Sequence, residues 1–370
     1  MGIIFSSFNG LEPRLRFGGF SYKWEKTNLG TACNITMGQS PDSSSYNTQQ
    51  EGFPLVQGNA DMKDRISSPQ RYTSKPTKIC KKDSILLSVR APVGTVGRAN
   101  QDLCIGRGLC AIQSNCIEFV YQYLLKNENS WKSIEQGGTF TAINSDDIKN
   151  FPLYIPLKNE CNKIADFLSL VDRRIEKQRQ LVESLKKYKR GALSRIFSNF
   201  ENWEKTEAKD IATIETGCSN TQDNNPNGLY PFYIRSANIA RSDKYIFDGE
   251  AVLTIGDGQI GKIYHYINGK FDCHQRVYMI TKFKKISGRY FYHFFSTFFY
   301  NRAIKMSAKN TVDSVRMDMI AKMPIYFPDK AKQKQIVSTL DTIDSFIDKQ
   351  TKLLEQMTSL KKGFLQQMFI

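Results

Sequence analysis

Apolar residues recur in steps of three and four along two long stretches of this chain. From about Asn159 to Phe197 they fall at Ile164, Leu168, Val171, Ile175, Val182, Leu185 and Ala192. The second stretch has them at Ile336, Leu340, Ile343, Ile347, Leu354, Met357, Phe364 and Met368. That spacing puts a single apolar stripe on a long helix. Each stretch follows a Pro-x-x-x-Pro segment, Pro152 to Pro156 and Pro324 to Pro328, where proline and its neighbour block an earlier helix start. At ~1.5 Å per residue each helix runs on the order of 55–60 Å, which predicts that the two pack on each other as an antiparallel coiled coil. The expected seam is Ile164, Leu168, Val171, Ile175, Gln178 and Leu185 against Ile336, Leu340, Ile343, Ile347, Gln350, Leu354 and Met357. Gln178 and Gln350 interrupt it near each midpoint. Either they meet side by side at a pseudo-two-fold axis and fix register, or each points to solvent.

The two stretches are copies. Residues 139–197 overlie 311–369 at a constant offset of 172 (311 − 139), with Pro152, Asp172, Gly191 and Phe197 falling on Pro324, Asp344, Gly363 and Phe369. Trp24-Glu25-Lys26-Thr27 and Gly38 match Trp203-Glu204-Lys205-Thr206 and Gly217 at 179 (203 − 24), and the glycine turns align at 164 (258 − 94). A duplicated chain suits a ligand that is itself two-fold or bipartite.

The blocks between the helices mix short β-rich runs with turn chemistry. Strand candidates are 84–89 and 251–255, each leading through a glycine turn into another strand, 93–98 and 258–262; helices are expected over 117–125 and 288–305. The fold class is therefore α+β: two similar small β-rich globules with two long helices, pseudo-two-fold. The expected boundaries are 1–157 for the first domain with its N-terminal stub (1–16), 158–199 for the central helix, 200–329 for the second domain and 330–370 for the C-terminal helix.

Bulk properties narrow the partner. A formal charge of +16 points to phosphate backbones or acidic membranes, and the longest apolar stretch, 290–300, is too short and too aromatic to span a bilayer. Eight cysteines without a C-x-x-C pair and only three histidines argue against zinc or a disulfide frame and fit a reducing cytoplasm. Met1-Gly2-Ile3-Ile4-Phe5-Ser6 has myristoylation spacing, a short pattern that recurs by chance.

Each block carries a polar loop at the same point, 38–47 and 217–225, rich in Ser, Asn and Gln. Hydroxyl and amide side chains sit on phosphates and read base edges, and arginine suits guanine or phosphate. The candidate DNA contacts in the first block are Gln39, Ser40, Ser43, Ser44, Tyr46, Asn59, Arg90, Arg98, Arg107 and Thr139. In the second they are Ser219, Asn220, Arg235, Asn238, Gln259, Lys262, Gln275, Arg276, Lys309 and Thr311. Singly, each reads as an ordinary surface residue; the set favours DNA. Gly256-Asp257-Gly258-Gln259-Ile260-Gly261-Lys262 imitates a phosphate loop, yet Ile263 stands where a Mg²⁺-binding hydroxyl belongs, so it is read as a β-turn. Neither an Asn-Pro-Pro-Tyr-like methyltransferase motif nor a nuclease carboxylate set is visible, and no catalytic or metal residue is assigned.

The order and duplication of these features resemble the specificity (S) subunit of a type I restriction–modification system. Phe17-Gly18-Gly19-Phe20 before Trp24-Glu25 looks like the usual entry to that family's first target-recognition domain. The Pro-x-x-x-Pro strands followed by Asn162 to Asp172 and by Gln333 or Gln335 to Asp344 look like its conserved regions. Glu160-Cys161-Asn162-Lys163 departs from its counterpart Lys332-Gln333-Lys334-Gln335. The resemblance implies a non-catalytic, cytoplasmic subunit in which each domain reads half of a split double-stranded DNA target and the helices set the gap. Two methyltransferase (M) subunits and the restriction (R) subunits would dock on it, and those partners would carry S-adenosylmethionine, ATP and Mg. The alternative is a self-contained DNA methyltransferase or nuclease with an unrecognised active site.

Overall fold

The computed structural model describes the main chain of Ile3–Phe5 and residues 12–131, 142–258, 260–306 and 314–370. The chain divides into two compact units, one made of Met1–Arg179 with Lys352–Ile370, the other of Gln180–Thr351. Each is a mixed α+β globule that includes part of both long helices.

In the first unit a six-stranded sheet has the spatial order 34–37, 109–113, 85–88, 96–98, 66–67 and 62–63. A five-stranded sheet, 79–80, 103–105, 53–56, 71–73 and 46–47, joins the same fold through neighbouring strands. In the second unit one six-stranded sheet, 213–216, 277–281, 247–255, 264–273, 230–233 and 239–242, spans both roles. Residues 251–255 of strand Phe247–Ile255 are all buried and apolar but for Thr254, as expected of a central strand covered on both faces. Residues 260–262 form a turn, in line with the β-turn reading and not with the strand also expected over 258–262, and the next strand begins at Tyr264. Gly258 and Gly261 take positive φ of 81° and 69° there, which ends an extended run.

Both offsets have one structural cause. Glu25–Asn28 pairs antiparallel with Pro152–Ile155, and Glu204–Glu207 pairs with Pro324–Phe327. Each block is thereby sewn shut where it meets the helices, and length differences fall inside it. Helix Ile117–Lys126 covers the first core and Gly288–Met306 the second, where Phe291, Phe295 and Phe299 stack in sequence. Among the described residues no helix is long and apolar enough to cross a membrane.

The long helices span Lys158–Ile196 and Lys330–Met368. Asp329 starts the second, its Oδ1 accepting from the amides of Ala331 and Lys332 at 2.8 and 2.9 Å. Positions 164, 168, 171, 175, 178, 182, 185, 189, 192 and 196 are all buried or half-buried, as are their partners 172 residues on. Steps of four and three without a break give the 3.5-residue period of a left-handed coiled coil. Gln178 and Gln350 are half-buried members of these rows.

Within each unit the helix segments run antiparallel. In the first, Phe167 meets Phe364 edge-on at 5.0 Å, and Lys361 reaches Asp172 at 2.5 Å. In the second, Lys189 reaches Asp344 at 2.5 Å. These ion pairs are the same contact twice, since 361 − 189 and 344 − 172 both equal 172. The helix ends also plug the cores. Phe369 packs among Trp24, Phe119 and Tyr123, and Phe197 among Trp203, Tyr290, Phe294 and Phe298.

The N-terminal segment gains a role that the sequence left open. Ile3–Phe5 pairs with Leu15–Phe17, and Arg16 makes a bidentate pair with Glu160 at 2.7 and 2.8 Å, both side chains buried. Glu160 departs from the repeat because Arg16 needs it. The next position keeps a shared job: Cys161 Sγ and Gln333 Nε2 both donate to the preceding proline carbonyl, Pro156 and Pro328.

Candidate nucleic-acid interface

Backbone hydrogen bonds fix the correspondence between the two blocks. Val89 N donates to Gly108 O as Gly256 N donates to Arg276 O, and Ile143 N donates to Val89 O as Val315 N donates to Gly256 O. The blocks therefore align at 167 after the central strand (256 − 89), and the expected 164 is corrected: the turns at Gly94 and Gly258 are not equivalent. The return strand aligns at 168, because Gly106 N→Val56 O matches His274 N→Tyr233 O.

On this frame the two polar loops occupy the same place. Gly38 N donates to Leu109 O, and Gly217 N to Val277 O. A Cβ at Gly38 would lie 2.1 Å from Gly106 O, and one at Gly217 2.0 Å from Cys273 O, so both loops must enter through glycine. Each then lies against a turn at the end of a strand that pairs in parallel with its neighbour. In the first unit Gln39 N donates to Ile105 O, and Ser40 Oγ accepts from Arg107 N at 3.2 Å. In the second, Gln275 N donates to Ser219 O and Thr221 Oγ1 lies 3.5 Å from His274 Nε2.

Gln39, Ser40, Arg90 and Arg107 thus gather around one turn; Gln39, Arg90 and Arg107 are exposed and Ser40 is half-buried. Asn59 is half-buried at the start of the short helix Asn59–Asp61 beside it. Ser43 and Ser44 are exposed on the single turn capped by Asp42, and Tyr46 gives its hydroxyl to Pro41 O at 3.0 Å. In the second unit Asn220, Arg235, Gln275 and Arg276 gather; Asn238 and Lys262 are exposed and, among the described residues, make no side-chain contact that ties them to the group. Thr139, Gln259, Lys309 and Thr311 lie outside the described residues.

Two expected contacts are corrected. Ser219 is fully buried, its Oγ donating to Asp272 at 2.7 and 2.9 Å, so it holds the loop from beneath and offers nothing to a ligand. Arg98 turns away from the loops. Its guanidinium pairs with Glu118 at 2.5–2.7 Å and lies 3.9 Å from the Tyr121 ring centre, on the side of the domain that faces the helices.

Sequence reasoning missed Asp257, which stands at the heart of the second cluster. Its Oδ2 accepts from Arg276 Nη1 at 3.0 Å and from Arg235 Nη1 at 3.2 Å. Non-local strand pairing brings these residues together, 247–255 with 277–281 for Asp257 and Arg276 and 230–233 with 264–273 for Arg235, and no local motif announces them. Burial, with the positive charge of Arg235 in second place, lowers the pKa of His274 below its ordinary value, so its imidazole is neutral beside the arginines.

His293, Asp341 and Asp344 offer three ligand atoms within 4.8 Å of one another. The carboxylates already face cations, Arg289 at 2.7 Å from Asp341 and Lys189 at 2.5 Å from Asp344. The group is better explained as an interlock between helix Gly288–Met306 and the C-terminal helix. Gln122, which donates to Asp172 at 2.8 Å, does the same in the first unit.

This architecture, one α+β reader built twice against a repeated helix, defines a class that known proteins share. The family model described as type I restriction modification DNA specificity domain matches residues 22–187 and again 200–359. The chain belongs to that family. It is 38% identical over 181 residues to the putative type I restriction enzyme MjaX specificity subunit of Methanocaldococcus jannaschii, covering 47% of this chain and 43% of that one. Over 169 residues it is 26% identical to the EcoDI specificity subunit of Escherichia coli, covering 45% of this chain and 36% of that one. These matches span less than half the length of either relative. The MjaVIII specificity subunit of M. jannaschii is 22% identical over 92% of this chain and 91% of its own length. In fold the chain is similar to the S subunit of a type I restriction–modification system from M. genitalium, with a TM-score of 0.68 at 16% identity over 97% and 99% of the two chains. A structure titled as the basis of complex assembly and conformational transition of the type I R-M system matches with a TM-score of 0.53 at 14% identity, over 92% of this chain and 96% of that one.

Proposed function

We propose that this chain is the sequence-reading subunit of a type I restriction–modification complex, and that each unit reads one half of a bipartite double-stranded DNA target. The observation that carries this reading is the pair of equivalent loop-and-turn clusters. A conserved backbone frame, entered through Gly38 and Gly217, presents different exposed side chains at the same place: Arg90 and Arg107 in one unit, Arg235, Gln275 and Arg276 in the other. A frame kept constant under divergent polar tips is what reading two different half-sites requires. The charge of +16 supplies the salt-sensitive attraction to the backbone.

In this reading the chain catalyses nothing. Two M subunits and the R subunits assemble on it, and S-adenosylmethionine, ATP and Mg belong to them. The complex works in the cytoplasm. The repeated helices set the number of unread base pairs between the halves. Adding one heptad to each helix lengthens them by about 10 Å and is expected to lengthen the spacer while leaving both half-sites unchanged.

The free cysteines provide a test. Cys218, in the second polar loop, is exposed, whereas the other seven are buried or half-buried. A maleimide applied to the native chain is expected to label Cys218 first. A duplex containing the target, selected from a random library, is expected to slow that labelling and to lose the effect as salt rises. Labelling unchanged by a bound duplex would remove the second loop from the interface. A chain that methylates or cuts DNA without partners would instead establish the self-contained enzyme.

A further inference from the structure

The two clusters differ in a way that specifies chemistry. In the backbone correspondence Asp257 takes the place of Arg90, each following the equivalent strand and each bridged to an equivalent residue, Ser314 and Ala142. Arg276 takes the place of Gly108. Glycine is enforced at Gly108, because a Cβ there would lie 2.3 Å from Gln57 O. The first unit therefore carries an arginine, Arg90, where the second has the carboxylate of Asp257, and the second carries Arg276 where the first must have glycine.

A carboxylate on the DNA-facing side of a basic protein opposes binding to phosphate in general. Its geometry gives it another use. Both arginines spend the same atom on it, Nη1, and both give to the same oxygen, Oδ2. Among the described residues each guanidinium keeps its Nε–H/Nη2–H edge intact, the fork that binds two acceptors at once. The Asp257 side chain is about one-fifth exposed, against 62% for Arg276 and 49% for Arg235, so the carboxylate forms the base and the forks project. Among the described residues Arg90 and Arg107 have no ion pair, so the first unit has no such brace.

We propose that Asp257 is a specificity-determining residue of the second unit: it braces Arg276 and Arg235 so that the free fork of Arg276 reads guanine at its O6 and N7 edge in one half-site. This rests on the DNA-reading function proposed above. A braced guanidinium has its rotamers set before binding, and the paired acceptors of guanine in the major groove match its fork. The first unit reads its half with Arg90 and Arg107 unbraced, and so with different chemistry.

The test is selection from a library of random duplexes at fixed salt, using the full-length chain as wild type and as Asp257→Asn, Arg276→Lys and Arg90→Ala. The wild type is expected to select a split sequence with a G·C pair at one position of one half. Asp257→Asn and Arg276→Lys are both expected to relax that same position by about ten-fold and to leave the other half-site unchanged. Arg90→Ala is expected to act only in the other half. Asp257→Asn would overturn the proposal if it raised binding to all sequences alike and altered no position, because Asp257 would then only moderate the field. Relaxation at an A·T pair would overturn it too. A wild type that selects no sequence would instead sink the DNA-reading function itself.

Discussion

Asp272 has no exposed surface, yet it accepts from Ser219 Oγ, from Ser242 Oγ at 2.8 Å and from the amide of Cys273 at 2.8 Å. It ties the second polar loop and an edge strand to the centre of the sheet. Replacing it by alanine leaves three buried donors without their acceptor and is expected to lower the stability of the second unit by about 2–4 kcal/mol. Urea unfolding followed by a probe in that unit measures the effect, and a change below about 0.5 kcal/mol would show that water takes over the bonds. Arg16 and Glu160 form the corresponding knot in the first unit. Glu160→Gln leaves a buried guanidinium facing a neutral amide, and a loss of about 3–5 kcal/mol is expected. Such contacts were illegible in the sequence because they join residues 144 and 53 positions apart with no periodic signal. For the same reason Arg98 looked like a DNA contact until Glu118 and Tyr121 were seen to hold it.

The long helices were legible almost to the residue. Their 3.5-residue period is written twice, and the proline segments before them mark where each can begin. Periodicity reports which face a helix buries and is silent about which globule its end enters. The aromatics near their C-terminal ends supply that: Phe369 completes the core of the first unit and Phe197 that of the second. Phe369→Ala is expected to cost about 3–5 kcal/mol and to fall on the first unit, and Phe197→Ala to fall on the second. Hydrogen exchange resolved by peptide checks this assignment. Loss of protection in the second unit on mutating Phe369 would contradict it. Strand existence was readable from apolar runs, but the register that brings Asp257 to Arg276 depends on non-local pairing, so the brace stayed hidden.

At the scale of the whole molecule the two units differ in their histidines. All three histidines, His265, His274 and His293, lie in the second unit. Burial is the leading cause that lowers each pKa below the ordinary 6.5, and for His293 the hydrogen bond to Asp341 pulls the other way. A folded-state value below the unfolded one means the unfolded chain takes up more protons as pH falls through 6.5. Stability from these groups is full above that pH and is lost below it. The second unit is therefore expected to lose exchange protection between pH 7.5 and 5.5 before the first does, and His293→Gln to reduce the difference. Equal responses of the two units would contradict this.

The same division into units underlies the central claim that each one reads its own half of the target. The most direct measurement maps methylated adenines in cells that express this chain with the methyltransferase subunits of its own system. A chimera would be mapped alongside, with residues 29–151 replaced by the corresponding block of another family member. The account predicts that one half-site changes while the other half and the spacer stay as they were. A change in both halves, or in neither, would contradict it.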